Sequence, residues 1–490
     1  MFGGGVFGFA VRFSALSHND KKIALVNFFS NFSFPGFFLS ISPAFFDGPE
    51  YIKLFSNTLL RDSLKQVHYP IHPLFVVIGW LFNQIPFGDT LSKVEFLNVI
   101  LGFWSIFLLY QIFQMFLGQK KALIITLFAS FTPYFWLSQI NLMYEPMMGL
   151  FLTASFYFLA RWVRDEKIKF AHFSSLFFII SFLVSSTSLL YLMFFLGFLL
   201  TKKGLRVTLK WIVILWLYLF PSFGLYFVFL KLRSIPSENI FLVLTSANGI
   251  LAKFKIEGLM FFVRLVRNSL VVYFSFLTLP LGIILFVSAA ADIFSKKNRL
   301  IILGWLLSFL LLNSFWHAGM YGRLTLFLTL VPLTFLSRIK NQYLSLGLLM
   351  LLIIYSSKIV LPYHFQETPY LLEKSFLETL TRENPLLIVS NYEEPFLCDS
   401  FSCLVLNSPK TDLPEIKRQI DSALVEKRKV LFTSQGMSAP YFQYDGRDYQ
   451  ILSKRKNHPR TEGQDLVENY QYMVIKEWSE YKLKIFSLFH

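Results

Sequence analysis

The sequence predicts an α-helical polytopic membrane domain with about eleven spans, followed by a small extracytoplasmic α/β domain. Three observations predict it. The first is composition: 54% of the 490 residues are hydrophobic, 59 are Phe and only 16% are charged. A soluble domain could not cover that much apolar surface with so few charges. The second is how the apolar residues are spaced. Residues 23–46, 96–117, 122–144, 211–230 and 268–291 are long runs without Asp, Glu, Lys or Arg. A helix needs roughly 20 such residues to cross a hydrocarbon layer about 30 Å thick. The third is where the charge sits. The net charge of +16 gathers in short loops at every second crossing: Lys21/Lys22, Lys120/Lys121, Arg161/Arg164/Lys167/Lys169, Lys202/Lys203/Arg206/Lys210, Lys296/Lys297/Arg299 and Arg338/Lys340. That is the positive-inside pattern, so the charge reports topology and no nucleic-acid partner is expected.

The elements follow in order. Residues 1–22 lack the basic start of a cleaved signal peptide and read as a cytoplasmic segment before a retained first helix at 23–46. A large outer loop covers 47–93. Within it, Leu54–Leu64 and Pro73–Phe82 read as short interfacial helices, because Pro70, Pro73 and Pro86 break up any span. Residues 170–201 carry no ionised group apart from His172 and are too long for one upright helix. Both flanks are basic, which predicts two short helices turning outside near Ser185–Ser188. The membrane domain then extends over 23–361, including helices at 146–160, 300–315, 324–337 and 343–361. The protein is expected in the inner or plasma membrane, N-terminus inside.

Residues 362–490 have the composition of a soluble domain and are expected outside. Pro385–Ser390, Ser402–Leu406 and Lys429–Thr433 are strand-length apolar runs. Leu413, Ile416, Ile420 and Leu424 form one helical face, with Asp412 and Glu415 as a capping box. Lys482–Phe486 alternates as an edge strand does. Cys398 and Cys403 fall in this tail; a bridge and two free thiols are both compatible with the spacing, which matches no zinc pattern.

Charged residues near membrane depth are costly and rarely idle. Three stand at predicted outer helix ends: Asp47 after the first span, Glu145 in the turn before the fourth, and Arg323 at the start of a late span. Each also has a bland reading, as a wet loop acid, a helix cap or a lipid-snorkelling arginine. Their recurrence on one membrane face in three separate turns favours function.

Over roughly residues 23–340 the chain resembles the GT-C superfamily of membrane glycosyltransferases, in particular the branch of protein O-mannosyltransferases and lipid A aminoarabinose transferases. The resemblance rests on ordered features. An acid, Asp47, follows the first helix, with Glu50 and Tyr51 close behind. A His/Pro element, His68-Tyr69-Pro70-Ile71-His72-Pro73-Leu74, lies in the same loop. Glu145-Pro146 opens the fourth helix. Trp316, His317, Tyr321 and Arg323 precede a helix containing Pro332. Two departures bear on the acceptor class: the loop lacks the commoner paired proline, and the acid after the first helix is single.

The resemblance implies transfer of a sugar from a polyprenyl-phosphate donor to an acceptor hydroxyl of a glycan, lipid or protein at the outer face, with inversion. Asp47 would be the general base. Arg323, helped by His317, Tyr321, Arg264 and Arg267, would meet the lipid phosphate. His72, Glu50 and Tyr51 would line the substrate groove. Glu145 would orient the acceptor, or join Asp47 in holding Mg2+ or Mn2+, although the sequence does not require a metal. His68 and His72 share helical spacing, but Pro70 and Pro73 and the absence of an HExxH motif speak against zinc. No G-x-x-x-x-G-K-[ST] phosphate loop occurs, which speaks against direct use of ATP. The competing readings are a transporter or flippase, a non-catalytic assembly or sensor protein, and a transferase using a lipid diphosphate.

Overall fold

In a computed structural model, the described residues are 47–66, 72–86, 88–132, 135–136, 144–232, 260–263, 266, 299–315, 339, 341–365, 369–390, 393–398, 401–406, 412–434, 466, 468–479 and 483–489. The predicted first span and the late helix at 324–337 lie outside them.

The segment expected as an outer loop contains, among the described residues, three helices, α1 (Asp47–Ser56), α2 (Leu60–Gln66) and α3 (Pro73–Asn83). Asp47 is the first described residue of α1, and the predicted span that ends before it lies outside the described residues. The C-terminal end of α1 is pinned by side chains reaching back to its backbone. Ser63 Oγ donates to Leu54 O (2.5 Å), Asn83 Nδ2 to Phe55 O (3.0 Å) and Trp80 Nε1 to Asn57 O (2.8 Å).

Among the described residues, seven further helices follow: α4 (Thr90–Leu117), α5 (Gln119–Ser130), α6 (Glu145–Asp165), α7 (Ile168–Val184), α8 (Leu192–Leu232), α9 (Arg299–Phe315) and α10 (Gln342–Phe365). Asp89 caps α4 by accepting from Ser92 N at 2.7 Å. Between α7 and α8 the chain breaks at Ser185 and makes a short 3-10 turn over Ser186–Tyr191, where the hairpin was expected. A second break lies inside α8, at Gly204 with φ 77°, a left-handed conformation that glycine adopts without a Cβ penalty. Among the described residues, Thr90–Leu117 and Thr187–Leu225 are long and apolar enough to cross a membrane. One large core joins α1, α3 and these helices, with Trp211, Tyr51, Tyr144, Tyr191 and Phe195 among its fully buried side chains. Leu205, Val213, Leu217 and Phe220 of α8 are instead more than half exposed, which suits contact with lipid.

After α10 comes α11 (Pro369–Glu378), then an α/β unit: β1 (Leu386–Ser390), α12 (Glu394–Leu397), β2 (Ser402–Leu406), α13 (Leu413–Val425), β3 (Val430–Thr433), β4 (Gln471–Trp478) and β5 (Leu483–Phe489). The sheet order is β2-β1-β3-β5-β4. The first three strands are parallel, and β5 runs antiparallel to both β3 and β4. The alternation of a strand explains the layering. Leu386 and Ile388 face a core with Ile416, Ile420 and Ala423 of α13. Leu387 and Val389 face Leu377 of α11 and Leu397 of α12. A strand buried on both faces reads as an unbroken apolar run.

Two expectations for this tail are corrected. The stretch around Lys482–Phe486 is no edge: β5 lies between β3 and β4, with Leu483, Ile485 and Phe486 buried. The edge is β4, whose mixed QYMVIKEW sequence hid the signal. Only half of the capping box forms as well. Asp412 accepts from Glu415 N at 3.5 Å, while Glu415 pairs with Arg418, which holds its carboxyl at about 2. Asp412→Ala is expected to destabilise the tail by only about 0.5–1 kcal/mol, measured by chemical denaturation followed through a tail probe. The cysteines close a Cys398–Cys403 disulfide.

Candidate active site

The geometry brings α1 and the start of α6 to one place. Tyr51, one helical turn after Asp47, is fully buried and meets Phe75 of α3 edge-on at 4.9 Å. Phe75 also meets Tyr144 at 6.4 Å. The ring of His72, at the N-cap of α3, stacks on Tyr144 with centroids 3.6 Å apart. Tyr144 immediately precedes Glu145, the first residue of α6. A continuous stack of Tyr51, Phe75, Tyr144 and His72 therefore ties the Asp47 helix to the Glu145 helix.

His72 is 2% exposed and its Nδ1 lies 3.0 Å from Val184 O. A carbonyl only accepts, so Nδ1 carries a proton and donates it to Val184 O. This brace joins α3 to the end of α7. Tyr51 and His72, which the sequence reading put in a substrate groove, are both buried.

Glu145 is 2% exposed, at a helix start where the backbone dipole favours negative charge. Its turn is held by hydroxyls from the far side. Ser181 Oγ donates to Met148 O (3.1 Å) and lies 2.7 Å from Ser188 Oγ. Thr187 Oγ1 lies 2.8 Å from Ser185 Oγ and 3.3 Å from Met148 Sδ. The break between α7 and α8 thus serves the site: it turns its hydroxyls back onto the first turn of α6. These hydroxyls were legible only as a polar gap in an apolar run.

Sequence reasoning missed one further pair. Glu95 and Asn98 of α4 are buried, at 2% and 0% exposure. Their signal was present, but the acid-free run was counted from Phe96, which put Glu95 outside a helix that begins at Thr90. A carboxyl enclosed in a membrane helix is costly unless it serves a purpose.

Asp47 and Glu50 lie in α1, whose end contacts the rest through Tyr51, Leu54 and Phe55. Arg264, Arg267, His317, Tyr321 and Arg323 lie outside the described residues. Among the described residues, no three His, Cys, Asp or Glu side chains cluster as metal ligands.

Residues 69–230 match the family model described as dolichyl-phosphate-mannose-protein mannosyltransferase; this third of the chain contains His72, Tyr144, Glu145 and the hydroxyl cluster. The fold is similar to that of ArnT from Cupriavidus metallidurans, solved bound to undecaprenyl phosphate. That match has a TM-score of 0.55 at 10% identity and covers 95% of this chain and 98% of the other. It is also similar to the oligosaccharyltransferase of Archaeoglobus fulgidus, solved with zinc and sulfate, with a TM-score of 0.51 at 10% identity. There the match covers 83% of this chain and 66% of the other. No curated protein sequence matches the chain closely enough to count as a relative.

Proposed function

For a chain that carries the fold of the GT-C membrane glycosyltransferases, we propose transfer of a sugar from a polyprenyl-phosphate donor to an acceptor hydroxyl at the outer membrane face. The observation that supports this most is the set of aromatic contacts joining the Asp47 helix to Glu145, whose members His72, Phe75 and Tyr144 lie, with Glu145, inside the region that matches the mannosyltransferase family model. Like the ArnT structure, which holds undecaprenyl phosphate, the protein would work as a multi-pass membrane enzyme on a lipid-borne donor. The Cys398–Cys403 bridge suits a tail in an oxidising, extracytoplasmic compartment.

In the proposed reaction, Asp47 takes the proton from the acceptor hydroxyl as its oxygen attacks the anomeric carbon. The bond from that carbon to the lipid-phosphate oxygen breaks, and the electron pair leaves with the phosphate. Attack opposite the leaving group inverts the anomeric centre. Arg323 and its neighbours His317, Tyr321, Arg264 and Arg267 meet the charge that grows on the phosphate. Glu145, fixed by the hydroxyl cluster and the His72 brace, orients the acceptor. If Asp47 and Glu145 also hold Mg2+ or Mn2+, two carboxylates are a thin set, and the remaining ligands would be donor phosphate oxygens or water.

The test is transfer of labelled sugar by purified protein from a panel of polyprenyl monophosphate donors, with membrane extract as acceptor source. Transfer from monophosphate donors and not from diphosphate donors is the expected result. Use of diphosphate donors alone would point to a glycan ligase or polymerase. Movement of an intact lipid-linked sugar across vesicles without bond cleavage would establish a flippase instead.

A further inference from the structure

Two acidic side chains lie fully buried where the tail meets the membrane domain. Glu373 sits in α11, the helix that carries the chain from α10 into the tail. Glu393, the N-cap residue of α12, lies against it. Thr433, the last residue of β3, donates to Glu393 Oε2 at 2.7 Å. The short helix α12 is held at both ends. Its C-cap, Cys398, is bonded to Cys403 of β2, while its N-cap rests on the acid pair. Between these anchors α12 packs against α1, the helix that contains Asp47. The described contact between the α/β unit and the Asp47 helix thus passes through an element that one buried carboxyl pair holds in place.

Two enclosed carboxylates cannot both ionise cheaply, so the favourable arrangement is one acid donating to one carboxylate. Burial first, then the charge of Glu393, push the Glu373 carboxyl well above its ordinary value of 4.5. The other titratable groups on the elements packed here are Lys374 and Glu378 on α11, Glu394 on α12, Asp47, Glu50 and Lys53 on α1, Lys476 and Glu477 on β4, where Lys476 lies over the Phe376 ring of α11, and Lys484 on β5. On β3 the neighbours are the neutral hydroxyls of Thr433 and Ser434. Among the described residues, Glu393 is the one charge acting strongly on Glu373.

We propose that Glu373 and Glu393 form a proton-held clasp that seats α12, and with it the tail, on the Asp47 helix, and that the clasp opens as the external pH rises. Glu373 carries the proton in the docked state and loses it when exposed to water. Its docked-state pKa is raised, so docking is strongest in acid. It weakens as pH climbs from the ordinary glutamate range through the docked-state value. The consequence for turnover, though not the docking itself, rests on Asp47 acting as the base.

Hydrogen exchange read by mass spectrometry on the full-length protein in lipid nanodiscs tests the clasp, at about pH 5 and about pH 8 with intrinsic rates corrected. In the wild type, protection of peptides covering α11, α12 and α1 is expected to fall at least about tenfold between the two pH values, while α13 in the same tail stays unchanged. Glu373→Gln keeps a donor and removes the charge, so its protection in those peptides should be high at both. Glu393→Gln removes the neighbouring charge and should shrink the same ratio. Equal wild-type protection at both pH values overturns the clasp, as does Glu373→Gln retaining the wild-type ratio. Loss that spreads to α13 would mean that the whole tail unfolds, which also overturns it. A flat ratio in a protein that transfers sugar removes the clasp and leaves the transferase reading standing. A pH-dependent ratio without transfer does the reverse.

Discussion

Asp47→Asn lowers sugar transfer by about 10²–10⁴-fold, the range expected when a positioned general base is removed, and leaves the fold intact. Asparagine keeps the size of the side chain, so α1 has no reason to move. Its anchors are also elsewhere: Tyr51 against Phe75, Ser63 on Leu54 O and Asn83 on Phe55 O all lie a turn or more along the helix. The amide cannot take a proton from the acceptor. The loss should therefore fall on kcat, with little change in the KM for the lipid donor, whose phosphate Asp47 does not need to hold. Unchanged thermal unfolding and unchanged donor binding, alongside the lost turnover, identify a base. A variant that transfers at the wild-type rate removes Asp47 from the mechanism. A variant that loses donor affinity instead makes Asp47 part of the phosphate or metal site.

How legible this was in the sequence differed between features for physical reasons. Glu145-Pro146 could be read because an acid beside a proline between two apolar runs has few places to be other than a helix start, and α6 begins there. The parallel strands could be read because β1 and β3 are buried on both faces and so carry continuous apolar runs. β4 could not, because an exposed edge strand needs no pattern, and Tyr472, Met473 and Val474 are all half-exposed. The His72 brace was also hidden. Its partner, Val184 O, is a backbone carbonyl that the break at Ser185 brings to it, 112 residues along the chain. The buried pair Glu373 and Glu393 shows the same limit more sharply. In the sequence they are two glutamates of a charged tail, and only the turn of α12 onto α11 and α1 makes them neighbours.

Helix packing within the membrane domain leads to the second large effect. Gly197 of α8 and Gly304 of α9 approach each other's backbones reciprocally. A Cβ on Gly197 would overlap the carbonyl oxygen of Leu300, and a Cβ on Gly304 that of Met193. Both obstacles are backbone atoms of packed helices, so neither can turn aside as a flexible side chain would. Small residues at such crossings let helices in lipid gain the van der Waals contact that holds them together, since lipid tails are as apolar as the helices themselves. Gly197→Ala and Gly304→Ala are each expected to lower stability by about 1–3 kcal/mol, the usual cost of overpacking, with thermal unfolding in one detergent as the measure. Alanine's better helix propensity, worth about 1 kcal/mol over glycine, opposes this loss without cancelling it. The double variant should cost less than the sum of the singles. Once one methyl has pushed α8 and α9 apart, the second enters space already opened, and neighbours that share a contact are not additive. Additive losses would mean that each glycine meets its own obstacle independently. The seat of α9 also bears on the proposed reaction, because Phe315, the last described residue of α9, directly precedes in sequence the segment with Trp316, His317, Tyr321 and Arg323. A loosened crossing should therefore raise the KM for the lipid donor in proportion to the stability lost, whereas Asp47→Asn leaves that KM in place.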